Sequence, residues 1–136
     1  MTEERLQSEI VKRYSEIFGA ERNGCLFHIA NERNSKLQAF KARAIGIVPG
    51  VSDLIEIYNG KIKCLELKVS GSRHKVSQLR KQVKWGRKMV ENGAEWRLIT
   101  NVEDAILFFQ GLKNDGMTLE YVEDYLRRND TKTVKI

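Results

Sequence analysis

Apolar residues recur at helical spacing near the start of the chain. Leu6, Ile10, Tyr14, Ile17 and Phe18 form one stripe between about Thr2 and Phe18, and Gly19 is the expected stop. Cys25 to Ile29 is short and apolar, as a strand would be. A short helix is expected over Lys36 to Ile45, and Gly46-Ile47-Val48-Pro49-Gly50 breaks it as an extended loop. The pattern then switches to period two. Asp53 to Tyr58 and Lys61 to Val69 flank Asn59-Gly60, the strongest short-range signal for a β-hairpin. Beyond a Ser70-Gly71-Ser72 loop, Ser77 is the expected N-cap of a helix to about Asn92, with Leu79, Val83, Gly86 and Val90 as its core stripe. Glu95 to Thr100 reads as a strand, and Asn101 caps a helix to Leu112. Asp115-Gly116 is a turn, Thr118 to Arg128 a final amphipathic helix, and Thr131 to Ile136 a loose tail.

This order gives an α/β domain, with helices flanking a central mixed sheet of about four strands. At 136 residues it is one domain, large enough for a core without disulfides. The core is expected over about residues 3–112, with the last helix and tail over 117–136. No apolar run reaches membrane-spanning length, and Met1-Thr2-Glu3-Glu4-Arg5 is too charged for a signal peptide, so a cytoplasmic protein is expected. Cys25 and Cys64 fall in strand-like segments and are expected to be reduced. With His28 and His74 they lack zinc-finger spacing.

Alternation also distributes the charged groups. Asp53 follows the Ile55/Ile57 face of its strand, while Glu66 and Lys68 extend the Ile62/Cys64 face of the next. If the hairpin pairs as its turn indicates, two carboxylates and an amine gather at one sheet edge. Charges at the end of an apolar row need partners or a metal, and such a set suits a hard divalent cation. The net charge of +6 favours polyanionic partners. Arg73, His74, Lys75, Arg80, Lys81, Lys84, Arg87 and Lys88 crowd the segment just after this strand, either as a solvated helix face or as a DNA contact.

Gly50-Val51-Ser52-Asp53-Leu54, then Leu65-Glu66-Leu67-Lys68, then Gly71 and the Ser77-Gln78 helix start resemble the VRR-NUC family of the PD-(D/E)xK nuclease superfamily. That family includes small stand-alone proteins, many from phages. The nominal proline before the acid is absent here, since Ser52 precedes Asp53. The resemblance implies a restriction-endonuclease-like core and phosphodiester hydrolysis with Mg²⁺ or Mn²⁺. Asp53, Glu66 and the Leu67 main-chain carbonyl would be metal ligands, Lys68 would orient water or offset phosphate charge, and Gln78 would position water or phosphate. Junction-resolving relatives carry a further glutamate on the first helix; Glu9 is the candidate and Glu32 the competing acid. Arg73, His74, Lys75 and Lys81 are the expected DNA contacts. The implied substrate is branched DNA, foremost the four-way junction of recombination and repair, cut by a homodimer to which Trp85 and Met89 could contribute. A monomeric flap or fork nuclease and a silent DNA-binding module of the same fold are the alternatives.

Overall fold

A computed structural model of the chain describes residues 1–29, 41 and 43–136. Glu32 and most of the expected helix over 36–45 lie outside them. The end of that helix is visible, where the Ile45 N–H donates to the Lys41 carbonyl.

Helix α1 (Glu3–Arg22) opens with Thr2 accepting the Arg5 N–H, has Glu3 and Glu4 in its first turn, and buries Leu6, Ile10 and Tyr14. It runs through Gly19, where a stop was expected. A glycine costs an interior helical turn only about 1 kcal/mol, and here Arg22 is anchored beyond it on Glu56 and on the Phe109 carbonyl. Strands β1 (Leu26–His28), β2 (Leu54–Tyr58) and β3 (Lys61–Leu67) form an antiparallel run. The β2–β3 turn has positive φ at both Asn59 and Gly60, as the sequence pair requires.

After β4 (Arg73–Lys75), helix α2 (Val76–Glu91) leads to β5 (Glu95–Ile99), which pairs parallel to β3. Helix α3 (Val102–Phe109) is capped by Asn101, as expected, and β6 (Met117–Thr118) adds to the far side of β5. Among the described residues the main sheet therefore has five strands, ordered β1-β2-β3-β5-β6, one more than expected. Helix α4 (Leu119–Arg128) follows, capped by Thr118.

Thr131 to Ile136 is not a loose tail. Its β7 (Thr133–Lys135) pairs antiparallel with β4, Val134 is buried, and the Ile136 N–H and carbonyl bond Ser72 and Gly71. This pairing also moves the start of α2. The Val76 N–H donates to the Lys132 carbonyl, Lys75 takes the cap position without a side-chain cap, and Ser77 lies exposed in the first turn.

The alternation of β3 divides the core. Leu54, Leu65, Leu67 and Ile99 pack under α1 and α3, while Cys64, Trp96 and Leu98 pack under α2 and α4. The first layer also encloses charge. Glu56 is 2% exposed and accepts from Tyr14 Oη (2.6 Å) and Arg22 Nη1 (3.1 Å). Its cross-strand partner Lys63 donates to the Phe108 and Phe109 carbonyls at the end of α3 (2.8 and 3.0 Å). Burial pulls Lys63 below the ordinary lysine pKa, with Glu56 pushing back. This network ties α1 and α3 to the sheet, so its cost of desolvation is met by partners on every side. No described helix is long and apolar enough to cross a membrane.

On the second face α2 approaches β5 through Gly86. A β-carbon there would lie 2.7 Å from Trp96 Cδ1 and 3.1 Å from Leu119 Cδ1. Alanine gains about 1 kcal/mol in helix propensity but overpacks by about 1–3 kcal/mol. Trp96 is 1% exposed and has no room to yield, so Gly86→Ala is expected to lower stability. Urea unfolding checks this; a rise in midpoint would show that the indole can shift.

Candidate metal centre

The hairpin register builds the site. Leu54 faces Leu65 across β2–β3, so the residue before β2, Asp53, meets Glu66. Asp53 is held from two sides: its Oδ2 accepts the Leu67 N–H at 2.8 Å, and its carbonyl accepts from His28 Nδ1 at 2.6 Å. Glu66 is 1% exposed and Lys68 3%. Lys68 Nζ lies 3.6 Å from Glu66 Oε1 and 3.9 Å from Glu3 Oε1. Period-two geometry thus delivers both ends of the Glu66-x-Lys68 motif to one buried edge.

Burial first, and the Asp53 carboxylate second, hold Glu66 well above the usual carboxylate range, and Lys68 only partly offsets them. A buried carboxyl beside a second carboxylate is relieved either by a proton on Glu66 or by a cation. Among the described residues six buried side-chain polar atoms lack hydrogen-bond partners: Arg22 Nε, Ser52 Oγ, Glu66 Oε2, His74 Nε2, Gln82 Oε1 and Trp96 Nε1. Glu66 Oε2 belongs to the motif itself, and a bound cation would satisfy it. Among the described residues no three His, Cys, Asp or Glu side chains converge to hold a metal. Two carboxylates and the Leu67 carbonyl nonetheless suit Mg²⁺ or Mn²⁺, which keep several waters and borrow ligands from phosphate. The residues fit a hard divalent cation.

On α1 the acid that lies near Lys68 is Glu3 and not Glu9. Glu9 is partly exposed and paired with Arg5 at 3.3 Å, while Glu3, two turns earlier, reaches Lys68. Glu32 lies outside the described residues. Gln78 is exposed, whereas Gln82, one turn on, is buried with its Oε1 unpartnered, and its main-chain N lies against Gly50 in the loop leading to Asp53. Gln82 is therefore the glutamine the fold turns inward. No local signal in the sequence separates it from Gln78, one turn earlier.

Of the expected DNA contacts, Arg73, Lys75 and Lys81 are exposed. His74 alternates inward from β4, with Nδ1 4.0 Å from Glu3 Oε1, and belongs to the wall of the site. Burial and then Lys68 press its pKa below the ordinary histidine value. His28, given no role from sequence, fixes the Asp53 main chain. Trp85 and Met89 are half-buried against the second core layer. Cys25 and Cys64 are unpaired, and burial pushes the Cys64 thiol up to about 12, so it is no nucleophile at neutral pH.

No protein-family model matches this chain, and no curated protein matches it.

Proposed function

We propose that this protein is a divalent-metal-dependent endonuclease hydrolysing DNA phosphodiester bonds, with a restriction-endonuclease-like core of the VRR-NUC type. The observation that carries the reading is the buried Glu66 carboxyl beside half-buried Asp53, with Lys68 against it. Asp53, Glu66 and the Leu67 carbonyl would hold the ion, which when bound supplies Lewis-acid polarisation of the phosphate and an activated water. Lys68, shared between Glu66 and Glu3, is placed to offset negative charge developing on the phosphate. The Gln82 amide, buried and unpartnered at Oε1, positions water or phosphate. His28 and the Leu67 N–H keep Asp53 in place from behind. Branched DNA as the preferred substrate, and a homodimer cutting a four-way junction, rest on the family resemblance alone.

The test is cleavage of a labelled four-way junction with Mg²⁺ or Mn²⁺, beside matched duplex, flap and single-strand substrates. Metal-dependent paired nicks are expected, lost in Asp53→Ala. Gln82→Ala should lower the rate about 10–100-fold, as loss of a supporting polar group does, and Gln78→Ala should leave it unchanged. Cutting of flaps alone would replace the junction reading by a monomeric nuclease. No cleavage of any substrate, with DNA binding retained, would reduce the protein to a binding module.

A further inference from the structure

Helix α2 carries four more cations than anions in a chain whose whole net charge is +6: Arg80, Lys81, Lys84, Arg87 and Lys88 stand against Glu91 alone. Its apolar stripe is buried, so the charge gathers on the opposite side. Arg80, Lys81, Lys84 and Lys88 are exposed, and none has an ion-pair partner among the described residues. Arg87 behaves differently. It is bound to Glu123 by two hydrogen bonds and lies 3.6 Å from Glu120, which fastens α4 beside α2. Between the helices runs a groove of about 590 Å³, lined by Val83 and Leu126, by the cations Arg80, Lys84, Arg87, Lys88 and Arg127, and by Glu91 and Glu123, of which Glu123 is neutralised by Arg87.

Local energetics do not favour this arrangement. Arg80–Lys84 and Lys84–Lys88 are like-charge pairs one turn apart, each costing a few tenths of a kcal/mol. The first turn of α2 has no acid and no side-chain cap, so the positive end of the helix adds to the same potential. The second turn of the helix also lies against the loop to Asp53, where Gly50 packs on the Lys81 carbonyl. From Lys81 to Lys88 the ridge extends about 10 Å at 1.5 Å per residue, the axial reach of about three phosphates of one strand.

We propose that this ridge and groove hold the DNA backbone beyond the scissile bond, binding a duplex arm by its phosphates and without reading bases. The proposal rests on the nuclease reading above and names the surface through which the substrate is held. Its signature is a change in salt dependence.

Binding of the full chain to a fluorescent four-way junction would be measured in EDTA, to prevent cleavage, between about 50 and 200 mM salt. The variants are a ridge triple, Arg80→Gln, Lys84→Gln and Lys88→Gln, and a control triple, Lys12→Gln, Lys61→Gln and Lys113→Gln, which removes equal charge from exposed sites elsewhere. Each phosphate contact contributes about 0.9 to the slope of log K against log salt. The ridge triple should therefore flatten the slope by about 2–3 and the control by less than 1, with both variants keeping the wild-type helical spectrum. Equal slopes in wild type and ridge triple, or equal flattening in both triples, would overturn the proposal. If the wild type cuts DNA in Mg²⁺ while the ridge triple binds normally, the ridge assignment alone fails. If the wild type neither binds nor cuts DNA, both readings fail.

Discussion

Glu66→Gln is expected to abolish metal-dependent cleavage and, in chelator, to make the protein more stable than wild type at pH 8. The two effects share one cause. Glu66 is buried, lies beside Asp53, and has an oxygen with no partner among the described residues. Holding it ionised costs stability, and the proposed function is what compensates for that cost. The amide keeps the shape of the side chain, removes the charge, and supplies N–H groups that the Asp53 carboxylate can accept. An unsatisfied buried polar group costs about 1–3 kcal/mol, and more when charged, so a gain of that order is expected without metal. The loss of activity follows from the same charge. Lewis-acid stabilisation amounts to several kcal/mol, and a ligand set with one carboxylate removed forfeits enough of it to slow cleavage about a hundredfold or more.

The pH dependence has a definite sign. In the folded protein the Glu66 carboxyl stays protonated to higher pH than in the unfolded chain, so between the two pKa values the folded state binds more protons. Stability of the metal-free wild type therefore falls as pH rises from the ordinary glutamate range upward through the folded value. The stability difference between Glu66→Gln and wild type should widen over that window and shrink below it. Thermal melts in EDTA from pH 4 to 9 measure it directly. A variant less stable than wild type at every pH would mean that Glu66 is a structural ion-pair partner of Lys68 and not an uncompensated acid.

What could be read from the chain was local. Asn59-Gly60 fixes a two-residue turn, the turn fixes the register, and the register brings Asp53, Glu66 and Lys68 together; each step spans only a few residues. The helix cap at Asn101 was legible for the same reason. What escaped depended on docking. The wheel of α1 places Glu3 and Glu9 near the apolar face, but which end of the helix meets the sheet edge is set by Tyr14 and Arg22 gripping Glu56. Gln78 and Gln82 are one turn apart, and only the approach of the Gly50 loop to α2 distinguishes them. The tail Thr131 to Ile136 has no strong strand pattern of its own. Its pairing with β4 joins segments about sixty residues apart in sequence, and three-residue strands carry almost no periodic signal. Glu56 and Lys63 would pass for solvent-facing charges, since nothing local announces that α1 and α3 cover them.

The second large effect is expected from Gly50→Ala, which should both unfold at markedly lower temperature and cut DNA poorly. Gly50 has φ +85°, a conformation that costs an alanine about 1–2 kcal/mol. The added β-carbon would also press on the Lys81 carbonyl group, with its carbon at 2.7 Å and the Gln82 N at 3.2 Å. These are main-chain atoms inside α2, so no side-chain rotation relieves the clash and the loop itself must move. Overpacking adds about 1–3 kcal/mol, for a total of about 2–5 kcal/mol and roughly 10 °C in melting temperature. The displaced loop leads within three residues to Asp53, whose carboxylate must meet Glu66 and the Leu67 N–H. A misplacement of about 1 Å at a reacting group can cost a hundredfold in rate. Gly24→Ala is the control: Gly24 has nearly the same φ, +84°, but a β-carbon there meets nothing within 4 Å. It should lose only the conformational cost and cut normally. If the two variants melt alike and both retain cleavage, the contact between the Gly50 loop and α2 does not hold Asp53 in place.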